Sequence, residues 1–301
     1  MLQKAALPTE RRGRAIAYRL AAATGFAVMA AFIKLGVDAG IATVEIMFWR
    51  FAFGLPPLLA YIALRSDFGA VRTSRFSAHL WRSCIGLLSM YLSFRGLALL
   101  PLAEATTISF AAPLFAIALS ALVLGERVGP RRWSAVVVGF MGVLIVANPG
   151  GGTLPLLGLA FAVGGAIGVA AVTIAIRRIG RTEAPETTVF WFTMLSLPVL
   201  ALFLPAAATP HDAREWLILL VLGLAGGASQ LFMTRSLGLA RISIIAPFDY
   251  SQLVWAVLFG WLLWNSTPTA QTWIGAAVIA SCGIYSAYRE RQLQMQAERS
   301  G

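Results

Sequence analysis

Ten long runs of apolar residues follow one another along the chain, and short polar segments separate them. An α-helix needs about 20 apolar residues to cross the hydrocarbon core of a bilayer, and each run is about that long. The alternating segments of about ten residues that build a membrane β-barrel are absent. Because backbone polar groups in hydrocarbon must bond within their own segment, we predict an all-α integral membrane protein. The predicted spans lie near residues 16–37, 43–64, 80–99, 102–124, 132–148, 155–177, 187–205, 215–235, 242–264 and 271–288.

Basic residues indicate which side of the membrane each connecting segment faces. Cytoplasmic segments carry an excess of Lys and Arg. If both termini are cytoplasmic, the outer segments contain Arg214 and little other positive charge. The inner segments then contain Lys4, Arg11, Arg12, Arg14, Arg65, Arg72, Arg75, Arg127, Arg131, Arg132, Arg177, Arg178, Arg181, Arg241, Arg289, Arg291 and Arg299. This alternation predicts an even number of spans with both termini in the cytoplasm.

Composition supports the same class of protein. The chain is 58% hydrophobic and 12% charged, with a mean hydropathy of +0.77, whereas a soluble domain carries about 25% charged residues. The net charge of +11 would suit a nucleic-acid-binding protein, but the basic residues form no face or stripe, so we expect no nucleic acid partner. Two separated cysteines and two isolated histidines, without a CxxC or HExxH motif, predict neither a metal site nor a cofactor.

The two halves of the chain show a modest match when the sequence is shifted by 140 residues. The matched pairs are Arg95 with Arg235, Leu97 with Leu237, Leu99 with Leu239, Phe110 with Tyr250, and Trp133 with Trp273. Each half holds five predicted spans, and because five is odd, the second half must enter the membrane in the opposite direction. Inverted repeats are typical of secondary transporters, whose solute site lies near the midplane. We predict repeats over residues 1–148 and 149–288 and a cytoplasmic tail over 289–301.

Several segments resemble the EamA-type transporters of the drug/metabolite transporter superfamily. Residues 101–115 (PLAEATTISFAAPLF), followed by LGER at 124–127, resemble the fourth span and its loop, and GFMGV at 139–143 resembles the fifth span. APFDY at 246–250 and the spacing of Gly275 and Gly283 resemble spans nine and ten. The second half departs from the family where Asn265 and Ser266 replace the usual Gly-Glu. We therefore expect Glu126, the acidic residue of LGER, to have a structural role.

This resemblance implies ten helices in an inverted five-plus-five arrangement that works by alternating access. We further expect a multi-pass protein of the bacterial inner membrane, present as a monomer or homodimer, whose partners are the lipid bilayer and a small-molecule substrate. Substrates of the family include amino acids, nucleosides, vitamins, S-adenosylmethionine and toxic compounds. Residues 101–115 most resemble the branches that carry S-adenosylmethionine or riboflavin, and amino acid exporters share the same fold.

Charged residues inside the spans are candidate site residues, because a charge at a helix centre costs about 2.5–3.5 kcal/mol on insertion scales. Arg50 is a candidate for binding a substrate carboxylate or phosphate, and the alternative is an ion pair with Glu45 or Glu104. Glu104 is a candidate for proton coupling or cation binding, and the alternative is a structural pair with Arg95. Arg95 itself is a further candidate on the third span.

Asp249, the deepest acidic residue, is our first choice for a substrate or proton site. It follows Pro247 in span nine and is flanked by Tyr250, which we include in the candidate site. The alternative is an ion pair with Arg235 or Arg241. Gln230 adds a hydrogen-bond donor and acceptor in span eight.

Aromatic side chains complete the candidate site, because a flat or cationic substrate favours aromatic walls. The alternative for each is ordinary packing between helices. The candidates are Tyr91, Phe110, Trp191 and Trp255.

Small residues and prolines predict features of helix packing. Gly164 with Gly168 and Gly223 with Gly227 form GxxxG motifs, which we expect to bring helices of the same chain together. The alternative is that they join two copies of the chain in a homodimer. Four prolines inside predicted spans are expected to kink helices. They are Pro56, Pro113, Pro198 and Pro247.

Together these patterns predict a secondary transporter for a small organic metabolite, such as an amino acid, S-adenosylmethionine or riboflavin. The sequence contains no GxxxxGK[ST] motif, so an ion gradient rather than ATP would drive uphill movement, with protons as a candidate coupling ion. The alternatives are a passive channel, an exporter of toxic compounds, and an intramembrane enzyme. Neither HExxH nor GxSxG occurs, so we do not predict an enzyme.

Overall fold

The computed structural model describes residues 9–64, 68–125, 128–148, 154–180, 182–240 and 242–300, and within them all regular structure is helical. Glu126 and Arg241 lie outside these residues. The helices are α1 (Thr9–Asp38), α2 (Thr43–Leu64), α3 (Phe76–Leu99), α4 (Leu102–Ser109), α5 (Ala112–Leu124), α6 (Pro130–Ala147), α7 (Leu156–Ile179), α8 (Pro185–Ala201), α9 (Leu204–Ala207), α10 (Ala213–Leu239), α11 (Ile242–Ile245), α12 (Ser251–Trp264) and α13 (Ala270–Ser300). Short 3₁₀ segments cover Phe68–Val71 and Ala246–Tyr250.

Within the described ranges, six stretches of helix are long and apolar enough to cross a membrane, and each coincides with a predicted span. They are Arg12–Asp38, Thr43–Leu64, Leu102–Val123, Pro130–Ala147, Leu156–Ile179 and Ala213–Leu237. The other four predicted spans are also helical, in α3, α8, α11 to α12, and α13. The predicted all-helical class is therefore confirmed for the described residues, and the total of ten spans stays a prediction.

Two predicted spans are interrupted where a continuous run was expected. The run 102–124 turns at Phe110 and Ala111, just before Pro113, and splits into α4 and α5. The run 242–264 contains the 3₁₀ segment around Pro247. Proline has no backbone N–H and its ring clashes with the preceding turn, which favours a break at both places. Pro56 and Pro198, in contrast, lie inside the uninterrupted helices α2 and α8.

Helices from the two halves of the chain pack against each other in matching pairs. α1 packs along α10, and α3 packs along α7. α1 also contacts α12, as α7 contacts α5, while α6 packs against α13. One apolar core joins α1, α2 and α10 through Ile33, Ile46 and Leu219. A second joins α4, α6 and α13 through Ile108, Val143 and Ile279.

Glycines allow the closest of these helix contacts. A Cβ atom on Gly227 would lie 2.8 Å from the backbone of Gly54, so α10 and α2 meet without side chains between them. Gly223 and Gly168 are similarly close to Phe53 and Ser89, at 2.5 and 2.6 Å. The predicted packing role of these three glycines within one chain is confirmed. The fourth, at position 164, has only ordinary van der Waals contact.

Candidate functional site

A cavity lies between α2 and α3 of the first half and α8 and α10 of the second half. Its polar lining consists of Arg50 on α2, Arg82 on α3, Thr193 on α8 and Gln230 on α10. The sequence analysis singled out Arg50 and Gln230, and the structure brings these two candidates together. Arg82 and Thr193 were missed.

The two arginines of the cavity have their donors largely unused. Arg82 Cζ lies 3.6 Å from the ring centroid of Phe192, and Arg50 Cζ lies 4.7 Å from that of Phe51. Nε of both arginines and Nη1 of Arg82 are buried and find no hydrogen-bond partner among the described protein groups. Within the described ranges, neither guanidinium forms an ion pair with a carboxylate. The cavity therefore concentrates positive charge that the surrounding side chains do not balance.

Glycines on α10 leave the space that Arg50 occupies. Gly226 and Gly227 line the cavity opposite Gly54 of α2. A Cβ on Gly226 would approach Met29 Sδ to 2.8 Å and Arg50 Nε to 3.5 Å. Any side chain at this position would therefore press on the neighbours of the guanidinium.

A buried histidine and a carboxylate join the two halves at one end of the bundle. His79 Nε2 on α3 lies 2.5 Å from Glu183 Oε2 in the connection between α7 and α8. Thr73 Oγ1 and the Ser74 N–H also donate to Glu183, at 2.6 and 3.1 Å. Burial alone would raise the pKa of Glu183, but the hydrogen bonds from Thr73, His79 and Ser74 outweigh it and lower this pKa.

A second buried histidine joins the halves at the opposite end. His211, just before α10, lies with Nε2 2.7 Å from Glu45 Oε1 on α2 and with Nδ1 3.1 Å from Glu215 Oε2. The side chains of His211 and Glu45 are only 2% and 1% exposed. Burial alone would lower the pKa of His211, but the hydrogen bonds and charges of Glu45 and Glu215 outweigh it and raise this pKa.

The ion pairs suggested by the sequence have different partners in the structure. Glu45 contacts His211 rather than Arg50. The carboxylate of Asp249 accepts hydrogen bonds from Nε and Nη2 of Arg19 on α1, so the alternative of an ion pair with Arg235 is wrong, and its other proposed partner, Arg241, lies outside the described residues. Arg235 instead stacks over Tyr61.

Glu104 also has an unexpected partner. Its Oε1 accepts a hydrogen bond of 2.9 Å from Thr272 on α13, so the pair with Arg95 is wrong. Arg95 Cζ lies 5.7 Å from the ring centroid of Phe161, and its Nε is buried without a partner.

The aromatic candidates lie outside the cavity lining. Phe110 and Tyr250 pack together with ring centroids 4.8 Å apart, beside the breaks in both interrupted spans. Trp191 packs edge to face on Phe76, and Trp255 stacks on Phe259. Tyr91 is 36% exposed. Among the described residues, no three His, Cys, Asp or Glu side chains come together as metal ligands.

Comparison with known proteins relates the chain to a family of transporters. The model of the EamA-like transporter family matches the chain twice, over residues 13–148 and 156–288. One solved protein structure superposes with a TM-score of 0.61 at 21% identity, covering 91% of this chain and 98% of that chain, which shows a shared fold.

Several relatives with a named function align with this chain over most of their own length. A riboflavin transporter of Vibrio cholerae is 28% identical over 87% of this chain and 89% of its own. A pseudopaline exporter of Pseudomonas aeruginosa is 29% identical over 84% of this chain and 89% of its own. An S-adenosylmethionine uptake transporter of Rickettsia prowazekii is 28% identical over 82% of this chain and 84% of its own. The relatives are transporters rather than enzymes.

Proposed function

This chain belongs to the EamA-like transporter family, and from that membership we propose that it is a secondary transporter that moves a small organic metabolite across the bacterial inner membrane. The cavity between α2, α3, α8 and α10 is its substrate site. That cavity is the observation that carries the proposal, because helices from both halves of the chain build it and buried donors of Arg50 and Arg82 find no hydrogen-bond partner among the described residues.

We propose ten spans in two inverted repeats, residues 1–148 and 149–288, with both termini and the tail 289–301 in the cytoplasm. The two separate matches to one family model support the repeats. The helix contacts support them as well, since exchanging the halves converts the α1–α10 contact into the α7–α3 contact and the α1–α12 contact into the α7–α5 contact. The distribution of basic residues supports the orientation.

Alternating access then requires the cavity to open toward one side at a time. The His79–Glu183 and His211–Glu45 contacts each join a helix of one half to a residue of the other half, at opposite ends. Opening one end would separate one of these contacts while the other holds the opposite end closed.

The substrate of this transporter is a metabolite of the size of an amino acid, riboflavin or S-adenosylmethionine. Relatives named for riboflavin and S-adenosylmethionine transport support this size range. Because relatives are named for both uptake and export, the test measures movement in both directions.

Reconstituted protein tests the proposal directly. Proteoliposomes are loaded with unlabelled riboflavin, S-adenosylmethionine or an amino acid mixture, and entry of the labelled compound is followed, with protein-free liposomes as control. A carrier gives saturable entry that substrate on the opposite side accelerates. Entry proportional to concentration without this acceleration would indicate a channel, and chemical conversion of the compound would indicate an enzyme.

A further inference from the structure

Arg50 and Arg82 are cationic side chains that form no ion pair with any carboxylate in the described part of the chain. Each guanidinium offers five N–H donors in a planar fork that matches the oxygens of a carboxylate or phosphate. Arg82 is only 7% exposed, and it lies over the face of Phe192, a contact that occupies no N–H donor. A ring face stabilises the positive charge but does not replace the hydrogen bonds that water would make.

Two such charges around one cavity raise the free energy of the folded protein when no anion is bound. Like charges repel each other in a site of low dielectric constant, and both guanidinium groups line the same cavity. A buried charge without hydrogen bonds also loses its hydration without compensation. An anion that enters the cavity removes both penalties, and each new charge-assisted hydrogen bond is stronger than a neutral one.

We propose that the substrate of this transporter is a small organic anion whose carboxylate or phosphate group accepts hydrogen bonds from Arg50 and Arg82. The inference rests on the proposed function, because it assigns a substrate class to the same cavity. The described lining of the cavity includes no carboxylate, so a cationic group would meet repulsion without an opposing charge.

The rest of the cavity suits the organic part of such an anion. Leu58, Val189 and Leu231 provide apolar surface, and Gln230 offers a donor and an acceptor to the ligand. The Thr193 hydroxyl donates to the Val189 carbonyl at 3.1 Å and can still accept a hydrogen bond. Both arginines belong to helices of the first half, and both of these polar residues belong to helices of the second half. A bound anion with a polar substituent would therefore connect the halves across the cavity.

Binding of matched probes to the wild-type full chain tests the inference without any variant. The purified protein in detergent is heated with benzoate, phenyl phosphate or benzamide, each against sodium chloride at the same ionic strength. We expect benzoate or phenyl phosphate to raise the unfolding midpoint, and the identity of the effective probe separates a carboxylate site from a phosphate site. The inference is overturned if neither anion stabilises the protein, or if the uncharged benzamide does so equally.

Substitution of the arginines then locates the site. Arg50→Gln and Arg82→Gln should each weaken binding of the effective probe by at least about tenfold, because each removes charged donors. Arg50→Lys keeps the charge without the planar fork and should fall between wild type and Arg50→Gln. The matched control is Arg235→Gln, which removes a guanidinium of α10 that stacks over Tyr61 outside the cavity. Equal binding by wild type and both glutamine variants would overturn the inference.

Flux measurements distinguish failure of this inference from failure of the proposed function. If anion binding depends on Arg50 and Arg82 but proteoliposomes show no flux, the anion site is supported and the transport function is rejected. Saturable flux of an uncharged or cationic metabolite that is unchanged in Arg50→Gln would preserve transport and reject the anionic substrate.

Discussion

The histidine just before α10 lies between two carboxylates, outside the membrane-spanning part of that helix. Its contacts with Glu45 and Glu215 raise the pKa of His211 in the folded protein. A folded-state pKa above the unfolded value means that the protonated imidazole stabilises the fold. This stabilisation is fully present below the unfolded pKa of about 6.5 and is lost as the pH rises through the folded pKa.

We therefore expect His211→Gln to be most destabilising at low pH. The difference in unfolding midpoint between wild type and His211→Gln should be largest near about pH 6 and should shrink toward about pH 9. Thermal unfolding of both proteins across this range measures it. Arg214→Gln, which removes an exposed charge three residues away, serves as the control and should show no such trend. A His211→Gln difference that is the same at every pH would show that the charge of the imidazole contributes nothing.

Which charged residues lie inside the spans was predictable from the sequence, but their partners were not. Arg19 and Asp249 are 230 residues apart, and Glu104 and Thr272 are 168 apart. Such pairings depend on which helices become neighbours and on how each helix is rotated about its axis. Hydropathy fixes neither of these quantities, so Arg50 could be chosen from its depth in span two while Arg82, close to the start of span three, was overlooked.

At the scale of single helices, the contact between α2 and α10 depends on the absence of side chains. Gly227→Ala would place a Cβ 2.8 Å from the backbone of Gly54, and backbone cannot move aside as a flexible side chain can. We expect this overpacking to cost about 1–3 kcal/mol. The fall in the unfolding midpoint of the purified protein measures the effect.

A matched substitution separates this contact from a general effect of glycine in helices. Gly164→Ala lies in the other GxxxG motif, but its Cβ would meet only Leu92, at an ordinary 3.4 Å. Its effect should stay within about 0.5 kcal/mol, as for most substitutions away from critical contacts. If both variants unfold at the same temperature as wild type, α2 and α10 do not approach each other as closely as described.

Helix interruptions show how far local sequence can be interpreted at this scale. Proline favours the breaks near Pro113 and Pro247, yet α2 and α8 continue past their own prolines. A proline removes the same hydrogen bond in every helix, and neighbouring groups decide whether the chain bends or breaks. Tyr250 and Phe110 meet between the two interrupted spans, a contact that follows from the assembled fold.

At the scale of the whole molecule, the helical membrane class and the position of most helices followed from the sequence, because hydrocarbon imposes helix length and internal hydrogen bonding. The position of the cavity between the halves could not be predicted from the sequence. Its lining comes from residues as distant in sequence as Arg50 and Gln230, and only helix packing brings them together. The orientation in the membrane, in contrast, is predicted from the distribution of basic residues, and the packing of the helices does not test it.

Labelling from one side of the membrane tests that orientation. In a background with Cys84→Ser and Cys282→Ser, Thr209→Cys and Ala184→Cys each place one thiol at an exposed position, in the connections before α10 and before α8. With both termini cytoplasmic, a membrane-impermeant maleimide added to intact cells should label Thr209→Cys alone, and permeabilisation should add Ala184→Cys. Labelling of Ala184→Cys alone in intact cells would show that the protein has the reverse orientation. Labelling of both positions in intact cells would place the two connections on one side, and that result is incompatible with α8 crossing the bilayer and with five spans in each repeat.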